Sequence, residues 1–469
     1  MQAFVIIASL IFLISLIGFV YYCIKGGNLI IGLVLTATLW FAVGTIYTIW
    51  NAASLDQINS FSDGWNLVLK NLNTVFSGGP IGYGTTTTII IFASWFGRVI
   101  VDTGIAKALI RKVVELSGNK QLITVILVSI VSALIFTSVF GPGSVMAIGA
   151  IVLPILLSIG VNKKIAVGSF LMSVAAGMYV NNGYISQFSG HEFFKGLWEN
   201  PGFESDFLTF SWLAFVIHVI IMVLFILFNY YFAKDKAKAW AMQTDDDVEH
   251  ELSNWTFIVP FIPILLALVI ALINMFSDAN LTPFDPITLF VIGIFFGLLL
   301  TGNLKTYKKA VDSTQKTLFN GISDVALLIG MLLVMNMFST AASKLAAPIF
   351  QRALGDSLSW ITNNPIIIVL IFAALAPLAL FRGPFMIWGS GIALASVLFP
   401  IIGTATPLLL VLFYIQPVGI VAESCPTQSW GMWALSYSKY EPNVYIKTNI
   451  IWAWVITIIN MLLAYFILM

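Results

Sequence analysis

The sequence predicts an all-α polytopic membrane protein with an inverted repeat, two opposed re-entrant helical hairpins and broken helices. Hydrophobic residues make up 59% of the 469 residues and charged residues 9%, and the mean hydropathy is +0.98. Soluble domains are far less apolar. The apolar residues form continuous runs of about 20, the length of a membrane-spanning helix, and lack the alternation of a transmembrane β-barrel. Two runs are interrupted by a Gly-Pro pair at corresponding positions.

Fourteen apolar runs, bounded by charged residues or by Gly/Pro loops, are predicted to be helices. Several of them need not cross the membrane fully. An amphipathic stretch occurs in each half, at 105–116 and at 341–354. The predicted helices lie at 3–22, 29–50, 81–101, 122–139, 144–161, 165–181, 207–233, 255–276, 286–303, 317–340, 365–381, 385–402, 405–421 and 447–468.

Lysine and arginine residues concentrate in alternate loops, which predicts the orientation of the chain. Basic residues follow every second helix, for example Lys163 and Lys164 after the fifth. The intervening loops contain few basic residues, with Lys344 and Arg352 as exceptions. Because basic loops stay on the cytoplasmic side, we expect a multi-pass protein of the cell (plasma or inner) membrane with both termini outside.

These features divide the chain into five predicted regions. The most charged one is a cytoplasmic linker that contains Asp245, Asp246, Asp247, Glu249 and Glu251. The regions are N-terminal helices and an outer loop at 1–80, a first repeat at 81–233 with a hairpin at about 122–161, the acidic linker at 234–254, linking helices at 255–316, and a second, inverted repeat at 317–469 with a hairpin at about 365–402 and the last helix.

The Gly-Pro pairs indicate that each half contains a helical hairpin. Gly141-Pro142 interrupts the apolar stretch 122–160, and Gly383-Pro384 interrupts the stretch 365–402, 242 residues later. Glycine permits a tight reversal, and proline cannot continue a helix cleanly. The predicted orientation has the two hairpins enter from opposite faces, a plan that recurs in secondary transporters. Simple kinks in two spanning helices are the alternative interpretation.

Arg382 lies inside the second interrupted stretch, between two strongly apolar segments. A charge at membrane depth is rare and indicates a functional site, and a planar guanidinium suits a carboxylate. Free N–H groups at the helix breaks also favour an anion. In the alternative interpretation, Arg382 neutralises an internal acid such as Glu423 or Asp324. The predicted substrate-binding residues are Arg382, Gly383, Ser138, Gly141, Gly143, Ser144, Asn181, Asn182, Gln416, Ser424 and Thr427.

Glu423 and Asp324 are the candidates for binding a coupling ion. Glu423 is either a buried proton acceptor or a residue of a polar cytoplasmic loop. Asp324 is either a coupling group or an ordinary charge in the first turns of the 317–340 helix. No cofactor or metal site is predicted, because the three histidines and two cysteines show no ligand spacing. Na⁺ held by free carbonyl groups remains a candidate coupling ion, and the net charge of +1 predicts no nucleic-acid partner.

Several short motifs point to a known family. They are Gly82-Tyr83-Gly84-Thr85, Phe96-Gly97-Arg98, Val101-Asp102-Thr103-Gly104-Ile105-Ala106, Arg382 with Gly389-Ser390, and the last helix at Tyr445–Leu463. This set resembles the gluconate:proton symporter family, within the ion transporter superfamily. The resemblance implies a scaffold domain, a moving transport domain and a homodimer.

The sequence as a whole predicts symport of a small organic anion, such as a sugar acid or carboxylate, with H⁺ or Na⁺ by alternating access across the lipid bilayer. The first alternative is a cation/proton antiporter without an organic substrate, which would depend on essential buried acids. A channel is a further alternative, distinguished by large conductance. The chain has no Walker-type glycine-lysine loop, which argues against an ATP-driven pump. An enzyme is not predicted, because no nucleophile–base set appears.

Overall fold

The structure, a computed structural model, is helical wherever it describes regular structure. It describes residues 2–55, 57–58, 60–118, 120–232, 252–277, 281–358, 360–403 and 406–469. Within these residues, eight helical segments are long and apolar enough to cross a membrane, and up to ten if each of two bent helix pairs is one span. The prediction of an all-α polytopic membrane protein with broken helices is confirmed. The acidic residues of the predicted linker, Asp245 to Glu251, lie outside the described residues.

The N-terminal part contains one helix that the sequence analysis missed. Residues 51–80 were expected to form an outer loop, but they include a 13-residue helix and a π-helical turn at Thr74–Gly78. This helix is amphipathic and therefore produces no apolar run; its large apolar residues Phe61 and Trp65 are exposed. The helices are α1 (Gln2–Ile24), α2 (Leu29–Ser54), α3 (Phe61–Asn73), α4 (Gly79–Gly82), α5 (Gly84–Asp102) and α6 (Ile105–Leu116).

The next part forms the first hairpin and the first broken helix. The helices are α7 (Gln121–Phe136), α8 (Pro142–Ser158), α9 (Lys163–Met178), α10 (Asn182–Ser189) and α11 (Phe203–Phe232). Gln121 Nε2, at the start of α7, donates to the backbone oxygen of Ile159, just after the end of α8, at 2.6 Å. The chain therefore reverses between α7 and α8. The following pair, α9 and α10, is bent by 54°.

The linking part ends in the longest helix, α14. This helix starts ten residues before its predicted start at 317. Its first turns contain charged residues such as Lys308, Lys309 and Asp312, so they do not form part of an apolar run and were not predicted. A 3-10 helix at Asn254–Phe261 precedes α12, and a π-helical turn at Ala342–Ala346 follows α14. The helices are α12 (Ile262–Phe276), α13 (Pro286–Leu300), α14 (Tyr307–Ala341), α15 (Ala347–Leu358) and α16 (Trp360–Asn363).

The last part contains the second interrupted stretch and the second broken helix, in which a π-helical turn at Pro417–Val421 separates α19 from α20. The helices are α17 (Pro365–Ala374), α18 (Gly391–Ile402), α19 (Leu408–Gln416), α20 (Ala422–Ser424), α21 (Ser429–Ser438) and α22 (Pro442–Leu468). A 3-10 helix at Ala376–Arg382 is bent by 58° from α17. The predicted helix at 385–402 begins only at Gly391, because the chain from 383 to 390 forms a turn.

The two broken helices contact each other in the interior. In α19 every residue is buried, and in α9 so is every residue from Ile165 to Gly177. The Tyr184 hydroxyl donates to the Tyr414 carbonyl at 3.0 Å, and the Tyr414 hydroxyl donates to the Tyr179 carbonyl at 3.0 Å. Irregular backbone at membrane depth is stable only inside protein or beside a water-filled cavity, and this packing meets that condition.

Candidate functional site

A cavity of about 410 Å³ lies between the two interrupted regions. Gly141 and Pro142 contribute the turn of the first hairpin, and Arg382, Met386 and Trp388 contribute the second turn. The volume lies in the usual range for small-molecule sites. The other lining residues are Asn28, Leu29, Ile30, Phe140, Met178, Tyr184, Gln187, Asp324, Leu327, Leu328, Met331, Pro417, Gln428, Ser429 and Trp430.

Asn181 holds the first hairpin turn in place. Its Nδ2 atom donates to the carbonyls of Phe136 at 2.8 Å and Val139 at 3.1 Å, which satisfies backbone groups left free at the end of α7. Its Oδ1 atom accepts from the N–H groups of Gly183 and Tyr184, so the same side chain caps α10. Asn181 was predicted to bind substrate, but its side chain is engaged with backbone and does not line the cavity.

The turn itself presents the N-terminus of α8 to the cavity. Gly141 has φ +108°, a conformation that L side chains rarely adopt, and Pro142 occupies the first helical position. A Cβ atom on Gly143 would overlap the carboxylate of Asp324. The positive end of the α8 dipole therefore meets an acidic side chain from α14.

The second turn carries backbone strain at the residue that faces the cavity. Phe381 and Arg382 have φ values of +54° and +60°, which are unfavourable for bulky L residues. The Arg382 carbonyl accepts from the N–H of Ser390 at 3.0 Å and from its hydroxyl at 2.9 Å. Phe385 stacks on Phe372 with ring centroids 4.1 Å apart. These contacts hold a strained conformation of the kind that clusters at functional sites.

The Arg382 guanidinium has no salt bridge within the described part of the chain. Asp324 pairs with Arg98 through two bonds of 2.6 Å, and Glu423 pairs with His218 at 2.8 Å. The interpretation that Arg382 neutralises Asp324 or Glu423 is therefore wrong. Arg382 is exposed to the cavity as a cation whose five N–H donors are available to an anion.

Asp324 is not a charge of a helix N-terminus, because α14 begins at Tyr307. It lies in the middle of α14, where Arg98 of α5 holds both of its oxygens. Arg98 also lies 3.6 Å from Asp102, and Asn320 donates to Asp102 at 2.9 Å. Of the described residues that line the cavity, Asp324 and Arg382 are charged, and only the former has an ionic partner there.

The remaining predicted substrate-binding residues do not line the cavity. The Ser138 and Ser144 hydroxyls are buried near the first turn and lack hydrogen-bond partners among the described residues. Gln416 donates to the Phe372 carbonyl at 3.2 Å, and Ser424 donates to the Ile420 carbonyl. Asn182 is the first residue of α10, and Gly143 and Gly383 lie in or beside the turns. The Thr427 hydroxyl lies 3.1 Å from the sulfur of Cys425.

Three further residues complete the cavity wall, and the sequence analysis did not assign them to the site: Asn28, Trp388 and Trp430. Trp388 is buried, and its Nε1 atom has no partner among the described residues. Trp388 follows Arg382 by only six residues, and this proximity in the sequence could have identified it as part of the same site. Asn28 and Trp430 come from distant parts of the chain and reach the cavity through the fold alone.

Glu423 is deeply buried rather than part of a cytoplasmic loop, so that interpretation is wrong. Its side chain is 1% exposed, and that of His218 is 0% exposed. His218 Nε2 lies 2.8 Å from Glu423 Oε2, and neither residue lines the cavity. The pairing was not predicted, because the two residues are 205 positions apart and no local pattern connects them.

A second polar cluster joins the chain after α10, which lies between the membrane-spanning segments, to α14 and to the π-helical turn that follows it. Glu192 Oε2 lies 2.7 Å from Lys195 and Oε1 lies 3.1 Å from Lys344, and these partners outweigh the effect of burial and lower the pKa of the carboxyl. His191 Nε2 lies 3.1 Å from the Ser339 hydroxyl. Burial lowers the pKa of His191 to about 3, so its ring is neutral.

No family model matches the chain, and none of the curated proteins matches it. Among solved structures, the chain is similar to the YdaH transporter of Alcanivorax borkumensis, which has been described as having an unusual topology. The TM-score is 0.58 at 13% sequence identity, and the match covers 85% of this chain and 88% of that chain. A likeness at this identity shows the fold alone. The chain therefore has the multi-pass helical fold of a known transporter, and its relation to the gluconate:proton symporter family stays a prediction.

Proposed function

We propose that the protein is a secondary active transporter that carries a small organic anion, such as a sugar acid or carboxylate, together with H⁺ or Na⁺. One observation carries the proposal: Arg382, on a strained turn, presents a guanidinium without an ionic partner in the described chain to a cavity lined by both interrupted regions. A cation at membrane depth is unfavourable unless a ligand or a partner compensates it. A carboxylate fits the guanidinium in a bidentate arrangement.

The other groups around Arg382 favour an anion that also carries hydroxyl groups. The α8 N-terminus is already faced by Asp324, whose charge is balanced by Arg98, so Arg382 contributes the unbalanced charge. Gln187, Gln428 and Ser429 offer both donors and acceptors. Trp388 offers an apolar face and one unused N–H group. This combination suits a sugar acid or hydroxy acid.

The architecture supports alternating access. Two interrupted helical regions line one cavity, and two broken helices contact each other through Tyr184 and Tyr414, as expected for a transporter in which one bundle moves against another. We propose that α7–α10 and α17–α21 form the moving part. We further propose a homodimer in the cell membrane with both termini outside.

Uptake into proteoliposomes tests this function. Gluconate, lactate, succinate and citrate are offered in radiolabelled form under separately imposed H⁺ and Na⁺ gradients. We expect gradient-driven accumulation of at least one acid, and loss of that accumulation in Arg382→Ala. Arg352→Lys is the matched control, because Arg352 lies on α15 beside the Tyr47 ring and not in the cavity. Full uptake by Arg382→Ala would contradict the role of the arginine.

The antiporter alternative is favoured by one observation, the buried Glu423 carboxylate outside the cavity. An antiporter would move no acid in the same vesicles. Exchange of Na⁺ against H⁺ in the absence of any organic anion, with no acid accumulated, would establish it.

A further inference from the structure

We propose that His218 and Glu423 form a proton-binding site, separate from the substrate cavity, at which the coupling proton binds. The inference rests on the proposed transport function and adds to it the identity and position of the coupling ion. His218 comes from α11 and Glu423 from α20, and their side chains are 0% and 1% exposed. The contact of 2.8 Å between Nε2 and Oε2 is the only ionic contact of either residue in the described part of the chain.

The charge of the pair depends on one proton. With the carboxylate ionised and the imidazole neutral, the pair carries one negative charge. One added proton makes it neutral overall, on either residue. A buried charge without compensation is strongly unfavourable, whereas a neutral, hydrogen-bonded pair is tolerated. The closed interior therefore favours the proton-loaded pair, and release requires access to water.

Among the described residues around the pair, no second ionic group balances the carboxylate. The titratable groups that face it from the packed elements are Tyr179 at the end of α9, Tyr445 of α22 and the neighbouring Cys425. None of these is cationic. Within the described residues, no set of three or more His, Cys, Asp or Glu side chains is placed to hold a metal ion.

The pair also has unused polar atoms, which a fully satisfied structural ion pair would not have. His218 Nδ1 and Glu423 Oε1 are buried without a hydrogen-bond partner among the described residues. Asn449 donates to the Glu423 carbonyl at 3.0 Å, yet its own Oδ1 atom is unpartnered. These atoms provide positions for a proton, or for a water molecule that delivers one.

A short structural link joins the pair to the turn that carries Arg382. Cys425, two residues after Glu423, accepts a hydrogen bond of 3.3 Å from the Phe381 N–H. Trp430, which lines the cavity, donates to the Ala422 carbonyl at 2.9 Å. A movement of the second turn that accompanies anion binding therefore shifts α20, and with it the water access of Glu423.

Two variants test the coupling directly. Glu423→Gln keeps the size and polarity of the site but removes the carboxylate that takes up the proton. His218→Gln removes the partner of the carboxylate, and a buried carboxyl group without a partner keeps its proton. Neither variant can therefore both bind and release the coupling proton. Whichever of gluconate, lactate, succinate and citrate the wild type transports is measured in two modes: exchange at equal pH on both sides, and accumulation driven by a pH gradient. We expect both variants to retain exchange and to lose accumulation, so that the internal concentration rises no higher than the external one. Glu192→Gln, which removes a carboxylate elsewhere, is expected to retain both.

Potentiometric titration of the purified protein in detergent adds a readout that needs no substrate. The wild type is expected to bind one proton more than Glu423→Gln, at the pH where the pair titrates. Identical titration curves for the wild type and Glu423→Gln would contradict the inference. So would pH-driven accumulation of the acid by Glu423→Gln at the wild-type level, or accumulation by the wild type that follows only a Na⁺ gradient. If the wild type binds the extra proton but transports no acid, the proton-binding site is supported and the proposed transport function is contradicted.

Discussion

The two interrupted regions both contain a Gly-Pro pair but differ in chemistry. The first turn is uncharged, contains Gly141 with φ +108° and is held from outside by Asn181. The second places Arg382 in the left-handed region and is held through its own carbonyl by Ser390. One turn contributes shape and a helix N-terminus, and the other contributes charge. The difference between the two turns, rather than their shared Gly-Pro pair, carries the proposed function.

The largest effect on the free energy of unfolding is expected for Asp324, which lies beside the first turn. Asp324→Asn removes the bidentate partner of Arg98 beside the first turn. Each turn would then have an arginine without a bidentate carboxylate partner next to it. We expect a loss of about 3 kcal/mol in the free energy of unfolding, because one member of a largely buried ion pair is removed. The measurement is thermal or denaturant unfolding in detergent.

The double variant Arg98→Gln/Asp324→Asn is the control for that prediction. It removes both charges, so we expect it to be more stable than the single Asp324→Asn variant. If the double variant loses the sum of both single effects, the pair does not act as a unit.

A smaller effect is expected when the support of the first turn is removed. Asn181→Ala deprives the carbonyls of Phe136 and Val139, and two N–H groups of α10, of their partner. We expect a destabilisation of about 2 kcal/mol in unfolding experiments, since buried backbone groups lose hydrogen bonds. Asn182→Ala, at the next position and half-buried, is the matched control and is expected to change stability little. Equal effects of the two substitutions would show that Asn181 does not hold the turn.

Gly143→Ala tests how closely the first turn approaches Asp324. The added Cβ atom overlaps the carboxylate, so either α8 or Asp324 must move. Overpacking of this kind is expected to cost about 1–3 kcal/mol. Gly330→Ala in α14 has open space around the new methyl group and is the control. Unchanged unfolding of Gly143→Ala would indicate that the turn is not tightly packed.

The smallest effect on stability is expected for Glu192, which does not line the cavity. Its pKa is lowered in the folded protein, so its contribution to stability is present above its ordinary value of 4.5 and is lost as the pH falls through the folded value. Its lysine partners are about half exposed, which limits the effect to below about 1 kcal/mol. We expect Glu192→Gln to be slightly less stable than the wild type at neutral pH, and equally stable in acid. A difference that persists in acid would show that the charge is not responsible.

Much of the fold could be predicted because apolar runs and Gly-Pro breaks are local signals. The break at Gly141-Pro142 and the position of Arg382 between two apolar segments were both visible in this way. Helix α3 and the first turns of α14 could not be found by the same signal, since amphipathic and charged helices do not produce apolar runs. The partners Arg98–Asp324 and His218–Glu423 are separated by more than 200 residues, and only the folded chain brings them together.

The central claim is that the second turn recognises the anion through Arg382. Equilibrium binding of the radiolabelled transported acid to purified protein tests it most directly, with Arg382→Lys compared with Arg352→Lys. Lysine keeps the charge but loses the bidentate fork, so we expect affinity to fall by about tenfold or more in Arg382→Lys. Arg352→Lys is expected to bind like the wild type. Wild-type affinity in Arg382→Lys and in Arg382→Ala would contradict the account.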